Sequence, residues 1–374
     1  MIYVVPIIVM ILVVIYFYFF FRRLLVLFHI EKKRRLSKVL GVILTLSCIL
    51  SVVKFLGAGF VILLFLLMSC LFTDILNLIF GKVIKKEGIK TIWKNIYGEG
   101  MLAIVIAALW FGYGYIHAKN VVVTNYTIET SKDIGSKGLK IAMISDLHMG
   151  TTMDAETLGK YCREIEDSNP DIFVLVGDIF DESTSKEDME TASKLLGSVS
   201  SKYGTYYVYG NHEIGNYRAS TRFTKNDIEA NLTADGIKVL DDKAILVNNS
   251  FYLVGKEKAS IAEIFRREVA SASQSFGGRS IDKSKFLLLL DHEPAELQKS
   301  AQEGVDLQLS GHTHGGQIWP FGTLSELLKI NELNYGYKNI GGYQIIVSSG
   351  IGGWGYPVRT ESTAEIVMVD VEHK

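Results

Sequence analysis

Residues 141–148 read IAMISDLH, a short apolar run followed by Asp146 and His148 with one residue between them. A run of this kind that breaks into a polar pair is the pattern of a buried strand with chemistry at its carboxyl end. The pattern recurs four times. DIFVLV (171–176) precedes Gly177, Asp178 and Asp181, and YYVY (206–209) precedes Gly210, Asn211, His212 and Glu213. FLLLL (286–290) precedes Asp291 and His292, and LQLS (307–310) precedes Gly311, His312 and His314. Further strand candidates lie at 244–247, 252–254, 344–347 and 365–371. Helical patterns fall between the runs, at 155–167, 186–197, 225–233, 261–270 and 295–302, while 317–342 reads as a long, partly helical loop. Strands alternating with helices predict an α/β layered domain over 139–374. The carboxyl ends of strands in such a sheet form one edge where ligands bind, so the five motifs converge there.

Five of the chain's eight histidines fall in these motifs. Asp-x-His and His-x-His spacings at strand ends aim alternate side chains at a common point. Oxygen and imidazole donors without thiolates suit Mn, Fe, Zn or Ni. The donors are too numerous for one four-coordinate ion, and one carboxylate can bridge two. Cys48, Cys70 and Cys162 form no disulfide framework, and Cys162 falls in a helical pattern as a structural thiol.

The order D-x-H, G-D-x-x-D, G-N-H-[DE], H and G-H-x-H resembles the calcineurin-like metallophosphoesterase superfamily over about residues 138–370. The resemblance implies a four-layer αββα sandwich with two divalent metal ions, Mn favoured, between its sheets. It implies that Asp146, His148, Asp178 and His314 hold one ion and that Asp178, Asn211, His292 and His312 hold the other, Asp178 bridging. His212 would contact the substrate phosphate and protonate the leaving group, with Asp181 orienting a ligand or His212. A hydroxide shared between the ions would attack phosphorus in line.

The remainder of the chain is of another kind. Residues 1–118 hold 13 Lys/Arg against 4 Asp/Glu, and residues 119–374 hold 26 against 36, so a formal charge of −1 over 374 residues hides a basic part and an acidic one. The acidic balance of the larger part argues against non-specific nucleic-acid binding. Four apolar stretches predict four α-helical membrane spans: 1–21, 36–53, one starting between Phe55 and Phe60 and ending near Thr73 or Phe80, and 101–118. Residues 54–59 suggest a tight turn between the second and third. On these limits no ionisable residue falls at mid-span, which gives a transport pathway little support. Basic residues cluster at 22–38 and 82–94, and the positive-inside rule places both clusters in the cytoplasm. A multi-pass anchor in the cell membrane (1–118) and a linker (119–138) would then present an extracytoplasmic catalytic domain (139–374).

The expected function is hydrolysis of a phosphoester or pyrophosphate bond, with lipid-linked substrates held at the bilayer as one class. Trp319, Phe321, Trp354 and Tyr356 would form an apolar wall near the metals and Arg359 would contact a phosphate. The alternatives are loop packing for the aromatics and a structural ion pair for Arg359. The segment 311–359 resembles a bacterial, membrane-associated or exported branch of the superfamily. Two other functions stay open: a phosphodiesterase for soluble substrates, and a membrane sensor that binds a phospho-ligand.

Overall fold

In a computed structural model, which describes residues 4–30, 32–51, 58–132, 134, 138–214, 222–270 and 282–374, the chain divides into two units, Met1–Gly114 and Tyr115–Lys374. The first is helical: α1 (Val4–Leu24), α2 (Arg34–Ser51), α3 (Ala58–Val83), α4 (Glu87–Glu99) and most of α5 (Met101–His117). Two stretches are long and apolar enough to cross a membrane, Met10–Phe28 and Gly59–Val83, and α4 with α5 make a third if that pair, bent by 65°, is one span. Among the described residues, that is fewer than the four expected. Three of the first five residues of α2 are basic, Arg34, Arg35 and Lys38, which leaves a short uncharged run. α5 has 17 residues, about 26 Å at 1.5 Å per residue. The turn expected at 54–59 lies largely outside the described residues.

α3 extends past Phe80 to Val83, which brings Asp74 into the helix interior. There its carboxylate accepts from Tyr16 at 2.5 Å and Tyr97 at 2.9 Å, with Arg23 at 3.5 Å. A half-buried charge in an apolar helix is held by such partners. Asp74 thus lies inside the candidate span Gly59–Val83, past its midpoint toward the carboxyl end.

The second unit comprises, in chain order, β1 (Val121–Thr130), β2 (Leu139–Ile144), α6 (Ala155–Asp167), β3 (Ile172–Val176), α7 (Lys186–Gly197), β4 (Thr205–Val208), α8 (Asn211–Ile214), α9 (Lys225–Ala234), β5 (Lys238–Val239), β6 (Lys243–Val247) and β7 (Phe251–Lys256). It continues with α10 (Ile261–Ala270), β8 (Phe286–Asp291), α11 (Leu297–Gln302), β9 (Leu307–Ser310), α12 (Phe321–Leu328), β10 (Gly336–Ile340), β11 (Tyr343–Val347) and β12 (Ala364–His373). The helices begin where the sequence supplies caps: Asp154 accepts from the Thr157 N–H at 2.8 Å, and Thr224 and Asp227 form a capping box.

Two six-stranded sheets run in the orders β1-β12-β2-β3-β4-β5 and β10-β11-β9-β8-β7-β6. Side chains alternate between faces with the strand period of two. Ile141, Met143, Val174 and Val176 of the first sheet pack with Leu253, Phe286, Leu288 and Leu309 of the second, forming a core between the sheets. Ala142, Ile144, Phe173 and Leu175 face outward onto Leu158, Ile165, Met189 and Leu196 of α6 and α7. On the other side Tyr252, Val254, Leu287 and Leu289 meet Ile261, Ile264, Phe265 and Leu297 of α10 and α11. Strands covered on both faces account for the near-continuous apolar runs. Cys162 is buried in the α6 layer, and burial pushes its thiol up to about 12, consistent with a structural role.

β1 corrects the reading of 119–138 as a linker. It pairs in parallel with β12 from Val121↔Ala364 to Thr130↔His373 and forms the edge of the first sheet. The stretch 317–342, expected as a partly helical loop, contains the helix α12 and, beyond that expectation, the strand β10. The strands that matter for the site are parallel: β2, β3 and β4 in one sheet, β7, β8 and β9 in the other.

Candidate metal centre

Each motif leaves its strand in a tight turn. Asp146, His148, Asp178, His312 and His314 all take positive φ, between 44° and 74°. Residues with side chains rarely adopt that conformation, and strain of this kind gathers where surrounding structure must aim a group at one point. Two motif glycines allow the close approach. A Cβ at Gly210 would lie 2.2 Å from Asp178 Oδ1, and one at Gly311 would lie 2.2 Å from Asp146 Oδ2.

The motifs meet as two neighbouring groups, Asp146 with His148 and His314, and Asp178 with His292 and His312, each with donor atoms within 4.8 Å of one another. Asp178 lies between them, its Oδ2 3.0 Å from His292 Nε2 and 3.9 Å from His148 Nε2. Asp146 Oδ1 is 3.5 Å from His314 Nε2. Asn211 joins the second group through its Oδ1, 2.8 Å from His312 Nδ1.

The donor set fits metal ions. His148 Nε2 and His314 Nδ1 are buried without a hydrogen-bond partner, and His292 Nε2, 3.0 Å from Asp178 Oδ2, is buried without a well-aligned one. Leaving such an atom unmatched costs roughly 1–3 kcal/mol, and unmatched nitrogens in both groups, His148 and His314 in the first and His292 in the second, call for a ligand in each. The opposite nitrogens are already committed: His148 Nδ1 to Asp181 Oδ2 at 3.1 Å, and His292 Nδ1 to the Val176 carbonyl at 2.8 Å. A carboxylate or carbonyl behind an imidazole fixes its tautomer and orients the free nitrogen for a metal. Electrostatics agree. Burial works against a charged His292, but Asp178 and Asp146 outweigh it and push it up to about 10. Burial likewise opposes ionisation of Asp178, yet His292 and His148 hold it below the usual carboxylate range.

His212 stands beside these groups, its ring 5.0 Å from His148 and 5.1 Å from Trp354. Its Nδ1 is 2.9 Å from Glu182 Oε2, and its backbone N–H donates to Asp178 Oδ1 at 2.9 Å. A cavity of about 380 Å³ bordered by Tyr209, Asn211, Lys256 and His292 adjoins the second group. The larger hollow, about 730 Å³ among Lys132, Asp306 and Tyr343, contains none of the motif residues.

Comparison with known proteins agrees with this geometry. The family model for calcineurin-like phosphoesterases matches residues 139–316. A metallophosphoesterase of Aquifex aeolicus is 31% identical over 272 residues, covering 72% of this chain and 98% of that protein. The chain belongs to the calcineurin-like metallophosphoesterase family. One from Helicobacter pylori is 30% identical over 281 residues, 74% of this chain and 70% of that one. A transmembrane protein with metallophosphoesterase domain from Danio rerio is 26% identical over 291 residues, 73% of this chain and 62% of its own.

Within this metallophosphoesterase several residues stand differently from the sequence expectation. Asp181 backs the predicted ligand His148, the first of its two expected roles, while Glu182, which the motif reading passed over, holds His212. Glu213 was also passed over as a working residue. Its carboxylate accepts the backbone N–H groups of Asp178, Ile179, Phe180 and Gly210 at 2.7–3.0 Å, tying the second motif to the third. Among the aromatics, Trp354 reaches His212, while Trp319 is largely a surface residue leading into α12.

Arg359 is a correction. It is 1% exposed, and its guanidinium donates to the carbonyls of Ser349 and Gly352 and to Ser362 Oγ, so it holds loops together instead of meeting a phosphate. It forms no ion pair among the described contacts, and burial pulls its pKa down to about 10. Arg359→Met would strand these acceptors at about 1–3 kcal/mol each. The thermal unfolding midpoint should fall by roughly 6–12 °C for a net loss of about 3 kcal/mol. An unchanged midpoint with a raised KM would instead restore a role in substrate binding.

Proposed function

We propose that the chain is a membrane-anchored, metal-dependent phosphoesterase acting on a lipid-linked phosphoester or pyrophosphate. The observation that carries this reading is the pair of carboxylate–imidazole groups with orphaned nitrogens, placed beside the His212–Glu182 pair. Divalent ions, Mn favoured, held by Asp146, His148, Asp178 and His314 and by Asp178, Asn211, His292 and His312, would supply Lewis-acid charge and a water activated toward neutral pH.

The chain's own residues do the rest. Glu182, against His212 Nδ1, fixes the orientation of the ring, so that the other ring nitrogen can hand a proton to the leaving oxygen. The backbone hydrogen bond from His212 to Asp178 keeps that acid in register with the ligands. Trp354, against His212, offers the substrate an apolar wall. The His212–Glu182 pair favours an enzyme over a sensor, because ligand binding alone needs no positioned acid.

The basic clusters at 22–38 and 82–94 support a multi-pass anchor of four crossings with the catalytic unit outside the cytoplasm. Protease added to intact cells should then cut the catalytic unit. Full protection until permeabilisation would reverse the orientation.

For the reaction, the purified full-length protein should carry roughly two divalent ions, and a chelator should remove both ions and turnover. In a panel of detergent-solubilised phospholipids, lipid pyrophosphates and soluble nucleotides, the lipid substrates should turn over fastest. Release of product from soluble nucleotides alone would overturn the lipid preference. A fully metal-loaded protein that cleaves nothing in the panel would overturn the hydrolase.

A further inference from the structure

α12 is turned inside out. Gly322 and Ser325 face the protein, whereas Phe321, Leu324, Leu327 and Leu328 are exposed, with Trp319 before the helix and Ile330 after it. Leu327 is 74% exposed and Ile330 68%. A helix on a water-facing surface shows the opposite pattern, and a contiguous apolar face marks an interaction site. The face is also held firmly. The backbone N–H groups of Gly322 and Thr323 each donate to the Glu361 carboxylate at 2.6 Å, and the Thr313 hydroxyl donates to the Asn334 carbonyl at 2.5 Å.

Its place in the fold says what covers it. Glu361 lies just before β12, whose first residue Ala364 pairs with Val121, the first residue of β1. His117, the last residue of the apolar helix α5, has Nε2 3.5 Å from Thr363 Oγ1. The end of α5, the start of β1 and the anchor of α12 therefore meet on the segment 361–364. Ser362 in that segment donates to the His314 carbonyl at 2.5 Å, which links the same corner to the metal groups. The apolar face thus sits where the chain arrives from a helix of membrane character. Trp319 at its border and Lys329 at its end are residue types suited to a headgroup region.

We propose that the α12 face, with Trp319 and Ile330, inserts into the lipid surface beside the end of α5, so that the catalytic unit works on phosphoesters held in that surface. This rests on the membrane-anchored reading above and deepens it. Shallow insertion of an amphipathic helix reaches about 5–10 Å, enough to bury the leucines while the polar side stays with the protein.

The test uses the full-length protein in phosphatidylcholine vesicles, with the photo-cross-linker p-benzoyl-phenylalanine placed at Leu327 or, as a control, at Lys186 on α7. If the 327 side chain is inserted, irradiation should yield at least about tenfold more lipid adduct there than at 186. The same yield is expected in an Asp178→Asn background, so a failed hydrolysis reading leaves the docking result standing. Equal lipid labelling at both positions, or cross-linking at 327 to a second copy of the chain in place of lipid, would overturn the proposal.

Discussion

Asp178→Asn should abolish most turnover of a chromogenic phosphoester while leaving the fold in place. The substitution keeps the side chain's volume and the oxygen that accepts the His212 N–H, so the packing around it has little reason to change. What it removes is the negative charge between His292 and His148, whose nitrogens lie 3.0 and 3.9 Å from Oδ2. Asparagine can present an amide NH2 there, which repels a cation instead of holding it. Losing a charge aimed at the reacting centre costs on the order of 10²–10³ in rate, and metal occupancy should fall with it. His212→Ala provides the contrast: turnover should fall comparably while the bound metal stays, because His212 belongs to neither donor group. Metal analysis, circular dichroism and turnover on the two variants together separate the roles. Wild-type turnover in both would sink the catalytic assignment, and full metal content in Asp178→Asn would remove Asp178 from the bridging position.

The contrast between these residues and Arg359 shows what a sequence can carry. The donor groups were legible because each follows a strand run at once, and parallel strands bring their carboxyl ends together whatever separates them in the chain. The two sheets were legible for a related reason: a strand buried on both faces must be apolar at every position. β1 was not, because an edge strand alternates polar and apolar residues and its partner β12 lies about 240 positions away. Arg359 was misread because two of its three acceptors are backbone carbonyls of a loop that folds over it, and no side-chain pattern announces a carbonyl. The membrane helices divide in the same way. Hydropathy found α1 and α3, but the end of α3, and with it the setting of Asp74, depends on partners from other helices. For α12 the sequence showed its leucines but not which side of the helix the protein would cover.

Glu182 and Glu213 were the hardest to see, since an acidic side chain facing solvent has the same letter as one turned inward. Glu213 carries the second large effect. Its carboxylate gathers four backbone N–H groups, three from the turn after β3 and one from the turn after β4. Burial pushes its pKa up to about 7, with the neighbouring Asp178 charge adding to that, while the bonds from Phe180 and Gly210 pull the other way. Removing the acceptor leaves these donors partly unmatched at about 1–3 kcal/mol each, and water entering the space recovers some of the loss. Glu213→Ala should therefore cost about 3–5 kcal/mol, among the larger effects a single substitution produces. It should lower the unfolding midpoint by roughly 6–20 °C. Metal content and turnover should fall as well, because the two turns position Asp178, Asn211 and His212. Glu213→Gln should lie between alanine and wild type, since one oxygen still accepts while the NH2 meets N–H donors that cannot pair with it. The assignment fails if alanine leaves the midpoint within a degree or two and the metal content whole. It also fails if glutamine is no better than alanine, because a side chain that merely fills space would be replaced equally well by either.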